Sequence, residues 1–126
     1  MHFTIKNLIN IQELINSNLT NPTQDNLPKI IAVSKTFSMD KITPLIEYGH
    51  KDFGENKVQE ALDKWSDVKL INQNIKLHLI GGLQTNKVKF AIRLFDYIHS
   101  VDSEKLAKKI ADEQEKQNEK VKIFLQ

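Results

Sequence analysis

The chain has no cysteine. Disulfide staples, a thiolate zinc site and a cysteine nucleophile are therefore excluded, and a reducing cytosol is the expected compartment. No apolar run approaches the roughly 20 residues that a membrane helix needs. The opening M-H-F-T-I-K-N-L also lacks the sustained apolar core of a signal peptide. A cytoplasmic protein with no membrane partner is the expectation. An excess of one charge is missing as well: 18 Lys and Arg stand against 16 Asp and Glu, a net charge of +2, and the basic residues are not clustered with interleaved aromatics. Nothing in that balance calls for a nucleic-acid partner. There is no glycine-flanked serine nucleophile. None of His2, His50, His78 and His99 pairs with another ligand-type residue in the pattern that metal sites use, so no metal is expected.

What is present is the composition of an ordinary globular domain: 126 residues, 40% hydrophobic and 27% charged. The stretch that organises it is Lys29 to Thr36, K-I-I-A-V-S-K-T. Alternation places Ile31, Val33 and Lys35 on one side of a strand and Ile30, Ala32 and Ser34 on the other. Both sides are apolar until the end, as in a parallel strand covered on two faces. Ligand chemistry in such folds gathers at the carboxyl ends of the strands, where Lys35 stands.

Upstream, Ile5, Leu8, Ile11, Ile15 and Leu19 recur at helical spacing, and the turn formers Asn21-Pro22 and Asp25-Asn26-Leu27-Pro28 form a loop. Downstream, Ser38 is placed to cap a helix whose stripe is Met39, Ile42, Leu45 and Ile46, and Gly49 to stop it. The unit then repeats. A strand at Asp52 to Gly54 leads to a helix with Val58, Ala61, Leu62 and Trp65. A strand at Lys76 to Ile80, a Gly81-Gly82 turn and a helix with Val88, Ala91, Ile92 and Phe95 follow. A further strand, Tyr97 to Val101, is followed by Asp102 as cap and a helix carrying Leu106, Ala107, Ile110 and Ala111. The polar run Asp112 to Lys120 reads as the solvated end of that helix, and Val121 to Leu125 as a fifth strand. Repeated strand-helix units predict a parallel sheet with right-handed crossovers, open or curled into a barrel. A last strand with no helix after it leaves a bare edge, which favours reading the chain as a fragment.

Four places stand out chemically. Lys35 has two readings: an amine desolvated at a buried strand end, poised to attack a carbonyl and form a Schiff base, or a lysine that leaves the sheet and reaches for water. Gly54-Glu55-Asn56 ends the next strand. There the carboxylate is placed to pair with an ammonium or iminium, and Asn56 either faces a ligand or caps the following helix. At the third strand end, Gly81-Gly82 offers backbone N–H groups to an anion or simply turns the chain, and Lys87 follows one turn later. His78 and His99 lie within strands, near enough to the rim to reach a ligand or hydrogen-bonded in the core.

Taken together, I-A-V-S-K-T at 31–36, F-G-E-N-K-V-Q-E at 53–60, H-L-I-G-G-L-Q-T-N-K at 78–87 and I-H-S-V-D at 98–102 resemble the pyridoxal phosphate homeostasis proteins, the YggS/PROSC family. The resemblance runs along nearly the whole chain. It implies an α/β fold, the first half, about five strands, of a (β/α)8 barrel like the N-terminal domain of alanine racemase, with residues 1–28 as an opening helix and loop of a single partial domain. It further implies pyridoxal 5'-phosphate in imine linkage to Lys35, with Asn56, His78 and Ser100 as pocket residues, and a role in holding and supplying the cofactor without turnover. An amino-acid racemase or decarboxylase and a non-functional fragment are the alternatives. Gly82 stands where relatives often have proline or another larger residue. In that family the phosphate grip and the partner of the pyridine nitrogen come from the second half, which this chain does not contain. The chain alone is thus expected to be weakly stable and to hold the cofactor poorly. It is also expected to meet a complementary C-terminal chain or associate with itself through open sheet edges.

Overall fold

A computed structural model describes residues 1–20 and 27–126. Most of the expected loop of turn formers, residues 21–26, lies outside them, and Leu27 and Pro28 have no regular structure. The chain forms two compact units, one of residues 1–30 and 36–50, the other of residues 31–35 and 51–126.

The first unit holds two helices. α1 (Phe3–Asn18) starts at His2, whose ring nitrogen accepts from the Thr4 N–H at 3.2 Å. Of its predicted stripe only Leu8 is buried, and Ile11 is exposed. α2 (Met39–Tyr48) buries Ile42 and ends, as expected, at Gly49, which adopts φ 106°. That left-handed cap is open to glycine at no steric cost. Ser38 does occupy the position before α2, but its hydroxyl bonds the Asp40 carboxylate and caps no backbone N–H.

The second unit is a parallel sheet with its helices. Its strands are β1 (Ala32–Val33), β2 (Asp52–Glu55), β3 (Lys76–Leu79), β4 (Tyr97–Val101) and β5 (Lys122–Leu125), and its helices are α3 (Val58–Ile71), α4 (Val88–Leu94) and α5 (Glu104–Gln117). A short 3-10 turn, Thr85–Lys87, precedes α4. The strands lie in the order β1-β2-β3-β4-β5, every pair parallel. A doubly wound sheet reverses its order at a switch point, whereas a barrel adds each strand beside the last. The sequential order here is that of consecutive barrel strands, with no reversal at a switch point among the described strands.

Two rows of residues show which face is the core. Phe53 and Leu77 pair across β2 and β3, as Leu79 and Ile98 do across β3 and β4, and all four are fully buried. Phe53 packs against Trp65 of α3 with ring centroids 5.0 Å apart, so this is the helix-covered face. Val58, Ala61, Val88, Ala91, Ile92, Leu106 and Ile110 complete it from the predicted helix stripes. The alternate row, Val33, Gly54, His78, Tyr97 and Lys122, crosses all five strands on the other side.

Several expectations are corrected. The organising strand is only two residues long and is not covered on both sides, since Val33 is 47% exposed. Asp102 does not cap α5. Ser103 does, its hydroxyl accepting from the Leu106 N–H at 3.2 Å. Phe95 is buried but lies just past the end of α4. Ala111 is exposed, whereas Glu113, inside the supposedly solvated run, is buried against Lys109 and Gln117. Among the described residues no helix is long and apolar enough to cross a membrane.

Truncating the covered face is expected to destabilise far more than trimming the open edge. Phe53→Ala should lower unfolding free energy by about 3–5 kcal/mol, and Leu125→Ala, at an 82% exposed position, by less than about 0.5 kcal/mol. Urea titration of the two variants reads the difference.

Candidate functional site

The carboxyl ends of β1, β2 and β3 lie side by side, and each carries one of the singled-out segments. The ladder fixes this: Val33 pairs with Gly54, and Gly54 with His78. The chain past β1 stays on β2, as the Ser34 N–H donates to the Gly54 carbonyl at 2.9 Å. The chain past β3 does the same, as the Ile80 N–H donates to the Glu55 carbonyl at 2.9 Å.

Lys35 sits one residue beyond this anchor, in a turn rather than in the strand, and is exposed. Burial therefore does not desolvate its amine, contrary to the first of its two readings. The next residue, Thr36, has φ 65°. A β-branched residue in the left-handed region is strained by about 1–3 kcal/mol, and that strain adjoins the lysine.

Asn56 does not cap α3, whose preceding residue is Lys57. It lies instead against the backbone of Gly81. A Cβ built on Gly81 would stand 2.2 Å from both the carbonyl oxygen and the Oδ1 of Asn56. Only a glycine admits the asparagine at this distance. Gly82 has nothing within 4 Å of its would-be Cβ.

Glu55, between Gly54 and Asn56, is fully buried. Its Oε2 accepts from Ser34 Oγ at 2.5 Å, Lys64 Nζ at 2.9 Å and Trp65 Nε1 at 3.0 Å. The expected ammonium partner exists, and it is Lys64 of α3. The ammonium also donates to the Ser34 carbonyl at 2.6 Å. Glu55 Oε1 is buried without a hydrogen-bond partner among the described residues.

His78 is placed otherwise. It is buried within β3, its Nε2 2.9 Å from Asp52 Oδ1 and its Nδ1 2.9 Å from His99 Nε2. With Nε2–H donating to the carboxylate, Nδ1 becomes an acceptor and His99 supplies the proton from Nε2. Tyr97 stacks on His78 at 4.3 Å between centroids, Phe124 on His99 at 4.6 Å, and Lys122 Nζ lies 5.5 Å over the Tyr97 ring. Ser100 is buried on β4, and its Oγ has no hydrogen-bond partner among the described residues. The structure thus brings Lys35 and Asn56 to adjoining strand ends, engages His78 in a chain of rings and leaves the Ser100 hydroxyl unclaimed. No group of three or more His, Cys, Asp or Glu among the described residues is placed to hold a metal ion.

Lys64, Trp65, Ser34, Tyr97 and Phe124 were not singled out from the sequence. The available signal for the first two was a lone carboxylate in a strand facing a Lys-Trp pair nine and ten residues on. Nothing in the periodicity tied Tyr97 and Phe124 to the histidines.

A sequential parallel sheet with Lys35 and Asn56 at adjoining strand ends gives the class, a barrel-type α/β protein. The chain belongs to the alanine racemase N-terminal domain family, which it matches over residues 12–126. It is 42% identical over 98 residues to a pyridoxal phosphate homeostasis protein of Buchnera aphidicola, covering 78% of this chain and 42% of that one. To the homonymous protein of Pasteurella multocida it is 30% identical over 122 residues, 96% of this chain and 52% of the relative. The chain thus spans about half the length of these relatives. Among solved structures it is similar to PipY of Synechococcus elongatus with PLP bound, at 34% identity and a TM-score of 0.73 over 88% of this chain and 50% of that one.

Two outcomes follow from this geometry. Gly81→Ala should displace Asn56 and cost about 1–3 kcal/mol, while Gly82→Ala is near neutral; thermal denaturation and the Asn56 amide resonance report it. The second outcome concerns His99, whose pKa is held below its ordinary value by burial and then by the neighbouring His78. The unfolded chain therefore binds this proton more readily. Stability is full above about pH 6.5 and is lost as pH falls from there through the lowered folded value. His99→Gln should flatten that slope in urea titrations between about pH 7 and 5.

Proposed function

We propose that this chain binds pyridoxal 5'-phosphate and serves the intracellular homeostasis of that cofactor, with Lys35 as the point of covalent attachment and Asn56, His78 and Ser100 as pocket residues. The observation that carries the proposal is the alignment of the β1, β2 and β3 ends. It sets an exposed primary amine beside an asparagine seated on a glycine, in the segments on which the family likeness rests. The names of the relatives and the PLP in PipY agree with it.

The residues present fit such a group. An exposed amine is accessible to an aldehyde, and the unpartnered buried hydroxyl of Ser100 offers a donor. When bound, the cofactor supplies an electrophilic carbon and an electron-withdrawing ring. The chain's own residues hold and orient it: Lys35 by its amine, and Asn56 by an amide that Gly81 lets approach the β3 end.

The family description also supports a second reading, a racemase-type enzyme working on amino acids. That reading requires acid and base groups on both faces of a substrate. The relatives' homeostasis names favour holding over turnover.

The test is spectroscopic. Pyridoxal 5'-phosphate added to the chain should give an absorbance band at the violet edge and, after borohydride, a stable label that peptide mapping assigns to Lys35. A Lys35→Ala chain with the same band would defeat the assignment. Exchange of the α-proton of amino acids above the background of free cofactor would favour the enzyme.

A further inference from the structure

We infer that Lys64, through its ion pair with Glu55, is the positioning residue for Lys35. This rests on the reading of Lys35 as the attachment residue and goes beyond it by naming what aims the amine.

The sheet itself does little to hold Lys35. β1 has two residues, Lys35 lies past its end in a turn, and Thr36 occupies a strained left-handed conformation. A ladder this short leaves the following peptide free to rotate unless something else fixes it. Contacts at Ser34 do so: its N–H donates to the Gly54 carbonyl, its hydroxyl to Glu55 Oε2 and to the Gly54 carbonyl at 3.2 Å, and its carbonyl accepts from Lys64 Nζ at 2.6 Å. That carbonyl belongs to the peptide whose nitrogen is that of Lys35. The Lys64 ammonium therefore grips the plane from which the Lys35 side chain springs.

The same ammonium is itself fixed by Glu55 Oε2 at 2.9 Å, within a cluster closed by Trp65 Nε1. Lys64 is only 12% exposed and Glu55 not at all, so water does not compete strongly for either charge. Glu55 in turn carries Asn56 as its next residue, and its carbonyl is held by the Ile80 N–H. One buried ion pair thus ties the peptide before Lys35 and the residue before Asn56 to a single side chain on α3. Both ends of the proposed pocket are referenced to the same point.

This function differs from stabilisation. A buried pair replaced on both sides by neutral groups of similar shape is often tolerated. Aim is different, because misplacing a reacting group by even 1 Å lowers its rate steeply. Lys64→Met combined with Glu55→Gln keeps the shape, removes both charges and removes the donor to the Ser34 carbonyl. Lys64→Arg keeps the charge but replaces the single bridging ammonium with a planar fork.

The experiment uses the full chain. Wild type, Lys64→Met/Glu55→Gln and Lys64→Arg are mixed with pyridoxal 5'-phosphate, fixed with borohydride over a pH series and mapped for label on each lysine. Circular dichroism records folding. In wild type the label should concentrate on Lys35. In the folded double variant the rate of labelling at Lys35 should fall by about tenfold and its pH midpoint should move, while other surface lysines label as before. Lys64→Arg should fall between the two. A folded double variant that labels Lys35 at the wild-type rate and midpoint overturns the inference and leaves the attachment reading intact. Should the double variant be unfolded, wild-type rate and midpoint in Lys64→Arg overturn it equally. Wild type without label on Lys35 overturns both.

Discussion

One buried carboxylate organises the second unit of this protein. Glu55 sits where an apolar side chain would satisfy the sheet, and it holds β1, β2 and α3 together by accepting from Ser34, Lys64 and Trp65 through a single oxygen. Such an arrangement is not an efficient source of stability, since desolvating a carboxylate and an ammonium offsets most of their attraction. What it fixes is geometry, since donors from Ser34, Lys64 and Trp65 converge on one oxygen. The shortness of β1 follows naturally. A strand with two ladder residues survives because side-chain bonds past its end continue the work of the backbone.

The two faces of the sheet divide the labour. The face of Phe53, Leu77, Leu79 and Ile98 meets the helices and is dry. The opposite row runs from Val33 and Gly54 to His78, Tyr97 and Lys122; His78 stacks on Tyr97, Lys122 lies over the Tyr97 ring, and Asp52 and His99 hydrogen-bond His78. In a barrel that row faces the interior. The candidate residues are accordingly distributed over two levels, with Lys35 and Asn56 at the strand ends and His78 within the sheet.

Much of this was legible in the residues. The five strands, their parallel sense and most helix stripes follow from alternation, from spacing at three and four residues and from Gly49. The segments at 31–36, 53–60, 78–87 and 98–102 pointed to the family that the comparisons confirm. What escaped reading has physical causes. The apolar run Ile30 to Val33 leaves open whether Lys35 is desolvated or reaches for water, because apolarity gives a strand's tendency to be buried and not the point at which its ladder ends. Asn56 reads equally as a ligand-facing residue or a helix cap, and its place against Gly81, with Lys57 before α3, removes the second reading. The polar neighbours of Glu113 make it read as part of a solvated helix end. A helix presents its buried face every third or fourth residue whatever lies between, and Glu113 continues the line of Leu106 and Ile110.

The sequential order of the strands has a consequence for how the protein comes into being. Each strand pairs only with its predecessor and successor in the chain, so every ladder closes over the span of one intervening helix. Loop closure costs more for longer spans, so each ladder closes over one crossover alone, and no pairing in the sheet waits on a segment further along the chain than the next strand.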